Sequence, residues 1–194
     1  MLVTTTYLEQ LDPSQLKPAR EPEHPATVIR VDEPSPEFAR FLYTAVGGDW
    51  HWTDRLPWNL ARWTAWLSRP GSETWVAWVN GSPAGYVELA TEPHDGATDV
   101  EIACFGLLGR FAGRGLGGQL LAEGIRRAWT LHHRHPRLPP TIRVWVHTCT
   151  LDGPHALQNY QNYTARGLQI CDVRQDDIPV AGVPPGPWPG AHDN

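Results

Sequence analysis

The chain has 194 residues, 41% of them apolar, and a formal net charge of −5. That is enough for one globular domain with a substantial core, and its mild acidity argues against a nucleic-acid partner, whose phosphates call for a basic surface. No run approaches 18 apolar residues, which argues against a membrane partner, and MLVTTTYLEQ has neither a cationic start nor an apolar signal core. Cys104, Cys149 and Cys171 are odd in number and widely spaced, and no CxxC or HExxH occurs. A reduced, cytoplasmic protein without a metal is the expectation.

TTTYLEQ, ending at Gln10, reads as a short edge strand, and Asp12 to Pro25 as an irregular Pro-rich connector; residues 1–25 form an N-terminal extension. Thr27 to Val31 is expected as a strand. Ser35-Pro36-Glu37 then starts a helix that Gly47-Gly48 stop. Asp49 to Trp58 is an aromatic loop without a regular period. Its Trp50 and Trp52 beside the carboxylates of Asp49 and Asp54 suit a cationic amine. Asn59 caps a helix in which Leu60, Trp63, Trp66 and Leu67 recur at helical spacing, the tryptophans being expected in the core.

Glu73 to Val79 and Pro83 to Ala90 flank Asn80-Gly81, a strong hairpin signal, and Thr98 to Leu107 adds a third strand. Leu116, Leu120, Leu121, Ile125, Ala128 and Trp129 mark the buried face of a helix that ends by Pro136. Ile142 to His147 is a strand, His155 to Arg166 a helix stopped by Gly167, and Leu168 to Val173 a last strand. From Asp176 the chain is rich in Pro and Gly and reads as a mobile tail.

The centre of the sequence is Val100 to Leu121, where an apolar run passes through Arg110-Phe111-Ala112-Gly113-Arg114-Gly115 into a helix. Glycines let backbone amides approach a ligand closely, and the unpaired N–H groups of a helix start attract an anion: a phosphate cradle. Gly113, Gly115 and Gly118 also satisfy G-x-G-x-x-G, which keeps an NAD(P)-dependent oxidoreductase as the runner-up enzyme. A dinucleotide site needs an acid about 20 residues further on, and none lies between Glu123 and Asp152. P-loop and nucleophile-elbow motifs are absent.

What remains, R-x-x-G-x-G between strand and helix, resembles the pyrophosphate loop of the GNAT superfamily of acyl-CoA-dependent N-acyltransferases, [QR]-x-x-G-x-[GA]. A second stretch, Ala156-Leu157-Gln158-Asn159-Tyr160-Gln161-Asn162-Tyr163 on to Gly167-Leu168, is similar to the family's A-L-x-x-Y-x-x-x-G-F. Counting from Asp152 makes Tyr160 the family tyrosine; counting back from Gly167 makes it Tyr163. The resemblance covers about Ala26 to Val173 and implies an α/β (α+β) GNAT fold over residues 26–175. That fold is a mixed, mostly antiparallel sheet of about six or seven strands flanked by about four helices, here followed by a tail over 176–194.

The same resemblance implies that strand Glu101 to Leu107 splays from strand Ile142 to His147, with the pantetheine arm of acetyl-CoA in the gap against Phe105, Gly106 and Leu107. The pyrophosphate would take amides of Arg110, Gly113, Arg114, Gly115, Leu116, Gly117 and Gly118. An amine attacks the thioester directly, with Glu101 as first candidate base and His147 as second. Tyr160 or Tyr163 returns a proton to the departing thiolate, and Asp49, Asp54, Glu88, Trp50 and Trp52 meet the acceptor. Cys149 lies two residues from His147, on the same strand face, but no third group is evident to orient an acyl-enzyme nucleophile. The expected function is acetyl-CoA-dependent N-acetyl transfer to a small-molecule amine, with a homodimer left open. A GNAT module that binds acyl-CoA without turnover is the alternative from another class.

Overall fold

The computed structural model describes residues 1–161, 167–179 and 182–191. Along the chain run β1 (Leu2–Gln10), β2 (Thr27–Arg30), α1 (Pro36–Gly47), α2 (Leu60–Leu67), β3 (Glu73–Val79), β4 (Ser82–His94) and β5 (Ala97–Leu107). Then come α3 (Leu116–Trp129), α4 (Leu131–Arg134), β6 (Thr141–Cys149), α5 (Ala156–Gln161) and β7 (Gln169–Asp177). The seven strands form one sheet in the order β2-β3-β4-β5-β6-β1-β7, every pair antiparallel except β5 with β6. The described residues hold five helices, one more than expected, because the predicted helix before Pro136 breaks at Thr130 into α3 and the short α4.

Local chemistry accounts for the element ends. Ser35 Oγ accepts the Phe38 amide at 3.2 Å and Asn59 Oδ1 the Arg62 amide at 3.0 Å, so each capping residue satisfies an N–H that its helix leaves without a partner. Asn80 and Gly81 have φ of 49° and 78°, the two positive values that a type I′ hairpin turn requires. Two cores sandwich the sheet. On one face α3 lays Leu120, Leu121 and Ile125 on Val87, Val100, Ile102, Val144 and Val146. On the other, α1 and α2 lay Leu42, Val46, Trp63 and Leu67 on Val76, Tyr86 and Cys104. Leu60 is exposed instead, because it opens α2 at the solvent end.

Ile102 and Cys104, two residues apart, belong to opposite cores. The register with β4 slips between Glu88 and Leu89, so Ala103 is an extra residue, and the bulge reverses the face alternation. This puts Cys104 on the same side of β5 as Glu101.

Three expectations are corrected. β1 is no edge strand: it lies inside the sheet, with Tyr7 paired to His147 of β6 on one side and to Asp172 of β7 on the other. β7 runs on to Asp177, past the point where the tail was expected to begin. The segment beyond it is tied down at Gly186, whose N–H donates to Gly48 O at 2.8 Å. Of the helix expected over 155–166, Ala156–Gln161 is seen, and Tyr163 lies outside the described residues.

Candidate active site

The site is positioned by a fork in the sheet. β5 and β6 pair in parallel from Thr98↔Thr141 to Glu101↔Trp145, and pairing stops there although both strands continue. β5 goes on along β4 to Leu107, and β6 along β1 to Cys149. Among the described residues, backbone groups on the inner edges of both arms, those of Phe105 to Leu107 among them, therefore have no partner strand.

The Gly loop stands at the tip of the β5 arm. Phe111 N–H returns to Leu108 O at 2.9 Å and Ala112 N–H to Gly109 O at 3.1 Å; the α3 ladder then begins with Gln119 N–H to Gly115 O at 3.3 Å. Between them the amides of residues 113–118 find no backbone acceptor among the described residues. Gly113 and Gly115 have φ of 76° and 78°, left-handed values that turn the chain sharply at the helix start, and residues 112–115 are exposed. Arg110 and Arg114 stack on the buried Phe111 ring at 4.7 and 5.6 Å, which keeps both cations on the loop. Leu116 is buried in the core, so only its backbone faces this cradle. Gly117 lies against Leu107, with ordinary space for a Cβ.

Tyr160 is buried on the α3 side, its ring 5.9 Å from that of Phe105 on the unpaired arm. Burial holds its phenol well above the usual range, so it keeps its proton.

At the crotch of the fork, Glu101 Oε1 lies 3.3 Å from His147 Nδ1, the carboxylate largely buried and the imidazole half-exposed. The two candidate bases are thus one ion pair. The hydrogen bond that Glu101 accepts from His147 lifts the imidazole above its ordinary value against the pull of burial, and the charges of Glu101, Asp152 and Asp54 add to it. The Tyr7 and Trp145 rings flank His147 at 5.8 and 6.1 Å. Sequence reasoning missed Tyr7, because β1 was read as lying outside the domain.

The aromatic loop spans from the end of α1 to the tip of β6. Asp152 accepts from Thr148 Oγ1 at 2.6 Å, from Cys149 N–H at 2.9 Å and from Trp52 Nε1 at 3.4 Å. Trp50 rests on Gly153, and Trp52 lies on Gly47 so closely that a Cβ there would come within 2.3 Å of the indole. Gly47→Ala is accordingly expected to cost about 1–3 kcal/mol by overpacking, read as a lower thermal midpoint. Asp49 and Asp54 are exposed on this loop.

Glu88, expected to meet the acceptor, has partners within the chain. It is buried, with Arg55 Nη1 at 2.8 and 3.1 Å from its two oxygens and Trp66 Nε1 at 2.8 Å. The Arg55 guanidinium is surrounded by Trp66 at 4.3 Å, Trp58 at 5.1 Å, Tyr43 at 5.7 Å and Trp63 at 6.0 Å. The aromatic segment does build a cation cage, and the cation it holds is the chain's own.

Burial pushes the Cys149 thiol up, the opposite of what an attacking thiolate needs. Among the described residues no group of three or more His, Cys, Asp or Glu could hold a metal ion. Among the described residues no helix is long and apolar enough to cross a membrane.

The family model described as acetyltransferase (GNAT) family matches residues 33–138, over half of the chain. Among curated proteins none matches the sequence. Solved structures that share the fold at low identity include the following three. A functionally unknown conserved protein from Staphylococcus epidermidis is 16% identical with a TM-score of 0.53, over 90% of this chain and 60% of its own. A GCN5-related N-acetyltransferase from Sphaerobacter thermophilus is 16% identical with a TM-score of 0.51, over 89% and 50%. An aminoglycoside acetyltransferase from an uncultured soil metagenomic sample, in complex with sisomicin, is 12% identical with a TM-score of 0.51, over 68% and 82%. The chain spans about half to three-fifths of the length of the first two.

Proposed function

The chain belongs to the acetyltransferase (GNAT) family, and on that premise we propose that it transfers an acetyl group from acetyl-CoA to the amine of a small cationic molecule. The observation that carries this reading is the fork, with β5–β6 pairing ending at Glu101↔Trp145 beside a loop of amides in need of an acceptor. The residues fit the donor: the left-handed glycines and exposed turn leave room for a diphosphate, and the unpaired arms leave room for an extended pantetheine. Family membership sets the NAD(P) alternative aside.

Bound acetyl-CoA supplies an activated thioester; attack by the amine nitrogen forms the C–N bond and breaks C–S. An alkylamine of pKa ~10.4 is neutral in only about one molecule per few thousand at pH 7, so its deprotonation is worth ~4–5 kcal/mol. His147 takes that proton at Nε2 while Glu101 holds Nδ1 and fixes the tautomer; a positioned base contributes ~10²–10⁴ in rate. An amide on the unpaired β5 arm, at Phe105 to Leu107, stabilises the developing oxyanion by ~3 kcal/mol. Tyr160 returns a proton to the thiolate, a modest help for a thiol of pKa ~8.5. The carboxylates of Asp54, Glu101 and Asp152, whose charges reach His147, favour a cationic acceptor.

Acetyl-CoA at about 100 times its Kd should raise the thermal midpoint by about 5–10 °C, and one or more of a panel of amines should release free thiol. No shift would sink the proposal; a shift with no thiol release from any amine would leave a binding module. The pH profile tests the base. Imidazolium cannot accept a proton, so kcat/KM should rise with pH through a pKa above the ordinary histidine value. Glu101→Gln removes the largest cause of that rise, and the limb should move to lower pH. The acceptor's own titration is common to both proteins, so an unmoved limb would take the pair out of the proton path.

A further inference from the structure

The segment after β7 lands on the root of the aromatic loop. Gly186 is buried at φ +75°, its N–H bonded to Gly48 O at 2.8 Å, and a Cβ on Gly48 would fall 2.4 Å from the Gly186 carbonyl carbon and oxygen. Backbone lies on backbone, a contact that the two glycines permit. The segment's other anchor is Ile178 N–H to Met1 O at 3.1 Å, next to Asp177, which pairs with Leu2. The anchors stand on opposite sides of the fork. One is at the far end of β7; the other adjoins Val46, whose side chain covers Gly106 on the unpaired arm of β5. Three strand spacings, about 14 Å, separate β7 from β5, and more where the arms diverge.

Residues 182–191 carry no charge; they offer Val183, Trp188 at 64% exposure, and the φ-locked prolines Pro184, Pro185, Pro187 and Pro189. We propose that residues 182–188, docked on Gly48, form an apolar outer wall of the acceptor site, selecting amines that carry an apolar body. This rests on the acetyl transfer proposed above. The carboxylates near His147 receive the cationic nitrogen, and the wall receives what trails behind it.

The test compares wild type with Gly186→Val, which is strained at positive φ and loses the docking contact, and with a deletion of residues 182–191. Phenethylamine and putrescine are the acceptors. Wild type should favour phenethylamine at least tenfold in kcat/KM. Both variants should lose about tenfold for phenethylamine, through KM, and little for putrescine, with the acetyl-CoA Kd unchanged by calorimetry. Hydrogen exchange over residues 48–58 should speed up in both. An unchanged phenethylamine KM, or equal losses for the two amines, would overturn the wall. Should wild type acetylate neither amine while others of the panel react, the wall is overturned; should no amine react, the function reading fails separately, and unchanged exchange over 48–58 in Gly186→Val still refutes the docking.

Discussion

Arg55→Ala should lower stability by about 3–5 kcal/mol, the usual cost of stranding one member of a buried ion pair, and the thermal midpoint by on the order of 10 °C. Glu88 would be left in the core with only Trp66 Nε1 bound, since both Arg55 contacts go at once. Four aromatic rings would also lose the cation they enclose. Arg55→Lys should recover only part of the loss, because an ammonium that reaches the carboxylate has no planar face to lay on Trp66. Arg55 also joins the aromatic loop to β4 and α2, so activity should fall at temperatures where the variant is still folded. Denaturant melts followed by circular dichroism decide the matter: a loss under about 1 kcal/mol would mean that the pair counts for no more than a surface one.

Gly113→Glu should weaken acetyl-CoA binding by about 100-fold or more. A carboxylate about 5 Å from one diphosphate charge, at an effective dielectric near 20, costs roughly 3 kcal/mol. Space is no obstacle, since a Cβ at Gly113 meets nothing within 4 Å. Gly113→Ala is therefore the control: it should cost only about 1–2 kcal/mol of stability for the left-handed backbone and leave affinity close to wild type. The loop is exposed, so high salt should restore part of the Gly113→Glu affinity. Wild-type affinity for Gly113→Glu by calorimetry would remove the diphosphate from this loop.

Much of this was readable without coordinates, for local reasons. The caps at Ser35 and Asn59, the Asn80-Gly81 turn and the Gly loop at the head of α3 are each decided within a few residues, and all appear where the sequence places them. The splay of β5 from β6 was expected only through family resemblance, because no periodicity encodes where two paired strands part. The burial of Glu88 was not legible for a related reason. An acid in a strand pattern looks solvent-facing, and Arg55, 33 residues away, gives no local sign that it fills the aromatic cage.

Alone, the amino-acid order settled the helix starts, the hairpin and the Gly loop with its bare helix start, all governed by neighbours along the chain, while the outline of an acyltransferase domain came through family resemblance. Tertiary structure decided that β1 lies inside the sheet and brings Tyr7 beside His147, and that Glu101 and His147 pair with each other. It also decided that Asp152 anchors Trp52 and that Gly186 meets Gly48. These contacts depend on which strand lies beside which and in what register, and alternation along a strand assigns a face without choosing the partner across from it.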